Sequence, residues 1–157
     1  MESTHAILDR YGKIGVEALK QDVQPYSATN KTVESIRYEL SGDATYDRIQ
    51  YLARAFFSTL ESGRGPRRSS EQGEFLEGML EYMRARGIGA ELDEKKRKQL
   101  ARFLTLKINR EGDETFKRGG RIVYSPTLTK LADEIKTAVL KDFRHHTVTE
   151  LKNAFKG

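Results

Sequence analysis

The side chains best suited to chemistry are few, and their spacing works against it. The histidines are His5, His145 and His146. Neighbouring helix positions point about 100° apart, so His145 and His146 do not converge on one ion. No histidine stands four residues from another, and no His-Glu-x-x-His string occurs. The chain has no cysteine, which removes thiol nucleophiles, zinc ribbons and disulfides together. No Gly-x-x-x-x-Gly-Lys-Ser/Thr loop is present, and Gly63-Arg64-Gly65 lacks the third glycine and the strand-then-helix setting of a dinucleotide loop. A Gly-x-Ser-x-Gly elbow is also missing. Glu74, Glu77 and Glu81 recur along one helical face, an acidic stripe that is ordinarily wet surface and would otherwise meet a basic partner. No spacing selects particular acids for a magnesium-dependent nuclease. The expectation is a protein without catalytic residues, metal or cofactor.

Two basic loops are the remaining candidates. Arg64, Arg67 and Arg68 fall in Ser-Gly-Arg-Gly-Pro-Arg-Arg-Ser-Ser, where glycine allows close approach. Arg118 and Arg121 flank two further glycines. Arginine forks match phosphate oxygens and equally match carboxylates on another protein. Solvated surface, a protein interface and contact with a DNA backbone therefore all stay open for these residues. Phe116 is the single ring near the second loop, which argues against reading of single strands by stacked bases. The charge is uneven: residues 71–83 carry four acids and no base, and residues 84–121 carry twelve bases against six acids.

The elements that must position these loops are legible from periodicity. Residues 4–22 place Ile7, Leu8, Tyr11, Ile14, Ala18 and Leu19 on one helical stripe. Gly12 and Gly15 weaken that helix by up to ~1 kcal/mol each, or else permit another backbone to pack closely. Residues 33–41 and 46–53 alternate as the two strands of a hairpin, with Ser41–Thr45 as the turn. Ala53, Phe56, Phe57 and Leu60 fit a short helix stopped by Gly63. Ser69 and Gln72 suggest a capping box for a helix running to about Arg86, with Phe75, Leu76, Met79, Leu80 and Met83 on its apolar face. Gly87 and Gly89 end it.

A further helix spans about 93–110, capped by Asp93, with Leu100, Phe103, Leu104 and Ile108 as its stripe and Lys95–Lys98 as a solvated cluster. Residues 111–121 read as a polar loop and Ile122–Tyr124 as a short strand. Ser125-Pro126 opens a last helix, Ser125 serving as the capping hydroxyl, with Leu128, Leu131, Ile135, Ala138, Val139 and Phe143 in its stripe. Thr147 with Glu150 predicts a second start, so that helix is expected to break near His145-His146 and to carry Val148, Leu151 and Phe155 beyond the break.

The chain of 157 residues, with net charge +5, 37% hydrophobic and 32% charged residues, suits one domain over 1–157 with a thin core that neighbours would complete. No apolar run reaches the ~18 residues of a membrane span. Met-Glu-Ser-Thr-His is not the start of a signal peptide. The expected product is soluble and unsecreted. The fold class is α+β: an N-terminal helix, a small antiparallel hairpin packed by several helices, and a long C-terminal helix.

The order of motifs resembles the tail-component family of tailed bacteriophages, which includes tail-completion and neck proteins. Members begin with an amphipathic helix and a Thr-Gly-Lys/Arg turn into a Ser-Ile strand, and Thr29–Tyr38 corresponds. An aromatic segment ending Leu-Glu-x-Gly-Arg follows, matched by Phe56–Arg64. Tyr82–Ile88 matches an aromatic helix ending in a basic residue and Gly-Ile, and Ile108–Gly112 matches a terminal Arg-Glu-Gly. The series covers residues 5–155. Asn30 replaces the turn glycine, Asp113 stands where Thr is frequent, and Tyr82 where Trp is common.

The resemblance implies a virion structural protein at the head–tail junction, made in the host cytoplasm. It implies a six- or twelve-fold ring of this chain around the DNA channel, joining portal or adaptor to tail proteins. No catalytic residues, cofactor or membrane are implied. The basic loops would face partner proteins or, without sequence specificity, packaged DNA. The competing reading is a small DNA-binding regulator with Arg118–Arg121 as a wing.

Overall fold

A computed structural model describes residues 3–43, 46–54, 57–66 and 72–155, the side chains of 72–74 excepted. In chain order the elements are α1 (Thr4–Val23), a 3-10 turn (Gln24–Tyr26), α2 (Lys31–Glu34), β1 (Arg37–Gly42), β2 (Asp47–Leu52), α3 (Thr59–Ser62), α4 (Gln72–Ala85), α5 (Glu94–Glu111), α6 (Glu114–Lys117) and α7 (Ser125–Ala154). The fold is α+β, with a two-stranded antiparallel hairpin packed against helices and a long C-terminal helix. The elements fall into two units, one drawn from residues 1–22, 35–53 and 124–157, the other from 23–34 and 54–123.

In the first unit the buried face of α1 is Ile7, Leu8, Gly12, Gly15, Val16 and Leu19, while Ile14 of the expected stripe is exposed. Burying a side chain the size of Ile7 or Leu19 contributes about 1.5–3 kcal/mol. The two glycines are the seats of two rings. Hairpin register puts Tyr38 opposite Tyr51 on one face of the strands. A Cβ on Gly12 would meet the Tyr38 ring, and one on Gly15 would meet the Tyr51 ring. The close approach is thus to side chains of the hairpin rather than to a backbone. Each phenol is also tied at its tip: Tyr38 donates to Asp9 Oδ1 at 2.7 Å, and Tyr51 to the Tyr11 carbonyl at 2.8 Å. Ile36 and, on α7, Leu131 complete the buried set.

α7 runs unbroken through His145-His146. Thr147 does not cap a new helix; its hydroxyl donates to the Phe143 carbonyl at 3.0 Å, and Thr149 does the same to His145 at 2.9 Å. Bonding back to the preceding turn lets a threonine sit inside a helix, and no glycine or proline follows Pro126 to interrupt this one. At its other end Tyr124 holds the capping position without a side-chain capping bond, and Ser125 is the first helical residue rather than the cap. Pro126 costs nothing there, because the first-turn N–H groups have no helical acceptor.

The second unit is built on α4 against α5. Met79, Met83 and Ala101 are buried, with Phe75, Leu76, Leu80, Leu100, Leu104 and Ile108 packed around them. Phe103, expected in that stripe, is 62% exposed, and Ala101 and Thr105 take the inner positions instead. α4 closes with Ile88 N–H donating to the Met83 carbonyl at 2.8 Å and Gly87 N–H to Arg84 at 3.2 Å, the paired bonds of a Schellman end. Asp93 caps α5 by accepting from Lys96 N–H at 2.8 Å. Arg97 is not part of a solvated cluster. Its guanidinium turns back onto the carbonyls of Gly89, Ala90 and Leu92 at 3.1–3.3 Å and fixes the connection between the helices. Residues 122–124 form no strand, and the stretch read as a polar loop contains α6.

Candidate functional site

The segment from Leu60 to Arg64 and the segment from Asn109 to Val123 are distant in sequence and joined in space. α3 ends at Gly63, whose N–H donates to the Thr59 carbonyl at 2.9 Å and whose φ of 72° turns the chain out of the helix. That left-handed angle suits glycine, and a Cβ here would in addition strike the backbone of Phe116. Arg64 N–H then donates to Asp113 Oδ2 at 2.9 Å, and Asp113 N–H donates back to the Arg64 carbonyl at 2.9 Å. Asp113 Oδ1 accepts from Phe116 N–H at 2.8 Å, which caps α6. Asp113 thus fills a cap position and binds the first loop as well.

The guanidinium of Arg64 lies 3.4 Å from the centre of the Phe75 ring and donates to Asn109 Oδ1 at 3.4 Å. Arg121 is held at the other end of the join. Its N–H donates to the Glu61 carbonyl at 2.8 Å, its Nε to the Leu60 carbonyl at 2.7 Å, and its guanidinium stacks 4.4 Å over the Tyr26 ring. Val123 N–H donates to Glu61 Oε1 at 2.8 Å. Glu111 sits beside this clasp, and hydrogen bonds from Arg110 and then Lys117 lower its carboxyl to about 2.

The five candidate arginines therefore differ. Arg64 and Arg121 are engaged within the chain. Arg118 is exposed just past α6, and its side chain makes no hydrogen bond or ion pair among the described residues. Arg67 and Arg68 lie outside the described residues. Of the acidic stripe, Glu77 is exposed, Glu81 pairs with Lys31, and the Glu74 side chain is not among those described. His145 and His146 are exposed on α7, and His146 Nδ1 lies 4.0 Å from Glu150. Among the described residues no three His, Asp or Glu side chains are grouped to hold a metal ion, and no helix is long and apolar enough to cross a membrane.

Periodicity missed a different surface. On the second half of α7 and its C-cap, Leu140, Phe143, Val148, Leu151 and Phe155 are 43–87% exposed, and on α5 Phe103 and Leu106 are 62% and 55% exposed. An apolar stripe in a sequence looks the same whether its own chain or another covers it, so Phe103 and Phe143 read as part of inward stripes. Val148, Leu151 and Phe155 are expected to share a face beyond a helix break, and Leu106 and Leu140 fall in no stripe. Comparison with protein-family models, curated proteins and solved structures yields no match for this chain.

Proposed function

We propose that this chain is a virion structural protein of the head–tail junction of a tailed bacteriophage. It is a neck or tail-completion protein that assembles with itself as a ring around the DNA channel and joins portal or adaptor to tail. Two lines support the reading. The ordered motifs between residues 29 and 112 resemble the tail-component family, and the Leu60–Arg64 stretch among them serves to clasp two distant segments of the chain.

The observation that carries it is the apolar surface left in solvent on α5 and α7. Exposed apolar patches that persist on a folded chain mark protein contacts. Such a chain works through its surfaces. Arg118 contributes charge to them, and any contact it makes with DNA phosphate would weaken steeply with salt. The test is sedimentation and electron microscopy of the purified chain, by itself and with portal and adaptor proteins. Closed rings are expected in at least one of these mixtures. A chain that stays monomeric beside every connector protein overturns the reading.

A further inference from the structure

The C-terminal end of α7 is exposed along its length. α1 and α7 run antiparallel, with the Thr127 hydroxyl donating to Asp22 near one end. α1 begins at Thr4, so α7 outlasts it, and residues 143–155 are exposed without exception. Leu140, Phe143, Val148, Leu151 and Phe155 nevertheless lie within an arc of about 140° on that helix. At 57, 67, 43, 52 and 87% exposure, they leave roughly 600 Å² uncovered, taking ~200 Å² for each large side chain. Helical stability comes mostly from packing an apolar face, and no described residue buries this one.

The same chain carries a surface able to receive it. Between α1 and the stretch of α7 from Pro126 to His145 lies an open groove of about 1120 Å³, with Ile7, Tyr11 and Ala138 in a lining that is otherwise mostly polar. That is larger than the ~300–1,000 Å³ typical of small-ligand sites, and a trough between two helices suits a helix face. The lining mixes acids and bases, Asp133, Glu134 and Asp142 beside Arg10, Lys130 and Lys141. Lys130 pairs with Glu134, while Asp133 and Asp142 have no ion pair among the described residues and are open to Arg144 and Lys152 of the overhang, which have none either.

We propose that the overhanging end of α7 docks in the α1–α7 groove of a second copy of this chain. The contact rests on the ring reading and names the surface that builds it. Donor and acceptor are different surfaces of one chain, so the contact is head-to-tail, the kind that closes into a ring when the rotation between copies permits. The stripe with its flanking Arg144, Thr147 and Lys152 approaches the ~800 Å² per partner of a stable specific interface.

Because the chain has no cysteine, the contact is testable by directed cross-linking. Two single-cysteine chains, Leu151→Cys on the overhang and Thr137→Cys in the groove, are mixed under assembly conditions and oxidised, one of them carrying a mass tag. The expected product is the mixed disulfide in clear excess over either homodimer. A Leu151→Asp/Phe155→Asp variant is expected to keep the parental melting temperature and to lose the rings. Predominant self-linkage of the Leu151→Cys chain overturns the groove as the seat. Rings that survive the double aspartate variant overturn the proposal and leave the ring reading standing. A parent chain that never forms rings with any connector protein removes both.

Discussion

Replacing Gly15 by alanine separates two accounts of α1. If glycine were merely a weak helix former there, Gly15→Ala would stabilise the helix by about 0.8–1 kcal/mol. The structure gives the opposite sign. A Cβ at this position would stand 2.5 Å from Tyr51 Cζ and 2.6 Å from Cε1. Carbon atoms rest at about 3.5–4.0 Å, so the ring has to retreat by roughly 1 Å. Overpacking of this kind costs about 1–3 kcal/mol. Retreat also stretches the bond from the Tyr51 hydroxyl to the Tyr11 carbonyl, which contributes about 1 kcal/mol. Set against the helix gain, the net is a loss of about 1–3 kcal/mol, or a melting temperature lower by roughly 2–12 °C for a chain of this size. Urea denaturation and thermal melting of the single variant measure it. The same substitution in a Tyr51→Leu background should become neutral or stabilising, because the ring it strikes is gone. A Gly15→Ala chain that melts higher than the parent, or an equal effect in both backgrounds, refutes the reasoning.

Three further outcomes rest on the same structure. Arg64→Ala should destabilise by about 1–3 kcal/mol through loss of the Phe75 stack and the Asn109 bond. Arg64→Lys should not restore it, since lysine has no planar face, whereas Arg118→Ala should change stability by less than about 0.5 kcal/mol in the same denaturation assay. Thr105 is 3% exposed and its hydroxyl has no partner among the described residues, so Thr105→Val should raise stability by about 1 kcal/mol. The pH dependence has two limbs. Glu111 titrates at about 2 rather than 4.5, so its contribution is present above pH 4.5 and is lost as pH falls towards 2; Glu111→Gln should flatten that limb of a stability–pH curve. Burial pushes the Tyr51 hydroxyl from 10 up to about 12, so the folded form is favoured below pH 10 and loses that advantage as pH rises towards 12, a limb that Tyr51→Phe should remove.

What the sequence made legible was whatever local chemistry alone decides. Alternation placed the hairpin, because among regular structures only a strand has a side-chain period of two, and the register then follows from the short connection. Asp93 could be assigned as a cap because its carboxylate bonds a backbone group three residues away. The break expected at His145-His146 failed for a related reason: a Thr-x-x-Glu string is equally compatible with a hydroxyl bonding backwards inside a helix, and the choice depends on whether the chain upstream is already helical. Ile14, Phe103 and Phe143 were placed inward because period says which residues share a face but not how far round the face its neighbours reach. The tyrosine seats at Gly12 and Gly15 needed the pairing of α1 with the hairpin, which no local pattern contains. Arg64 and Arg121 read as free loop cations because their acceptors lie 45 to 61 residues away along the chain.

The clasp changes where function should be sought. The residues that carry the resemblance, Leu60, Glu61, Gly63 and Arg64 on one side and Glu111 and Gly112 on the other, sit where two distant segments lock to each other. Their chemistry is spent on intrachain bonds: a carbonyl for Arg121, a carboxylate for Val123 N–H, a ring for a guanidinium. Substitutions there should therefore register as stability, in every assay alike, and assembly would fail with them only because the fold fails. A surface that makes contacts between copies has the reverse signature. Phe155 is 87% exposed and Leu151 is 52% exposed, so replacing them removes little intrachain burial and leaves the melting transition where it was. The motif that points to a family and the side chains that would perform its work are thus different residues. The second set is recognisable by exposure rather than by any string in the sequence.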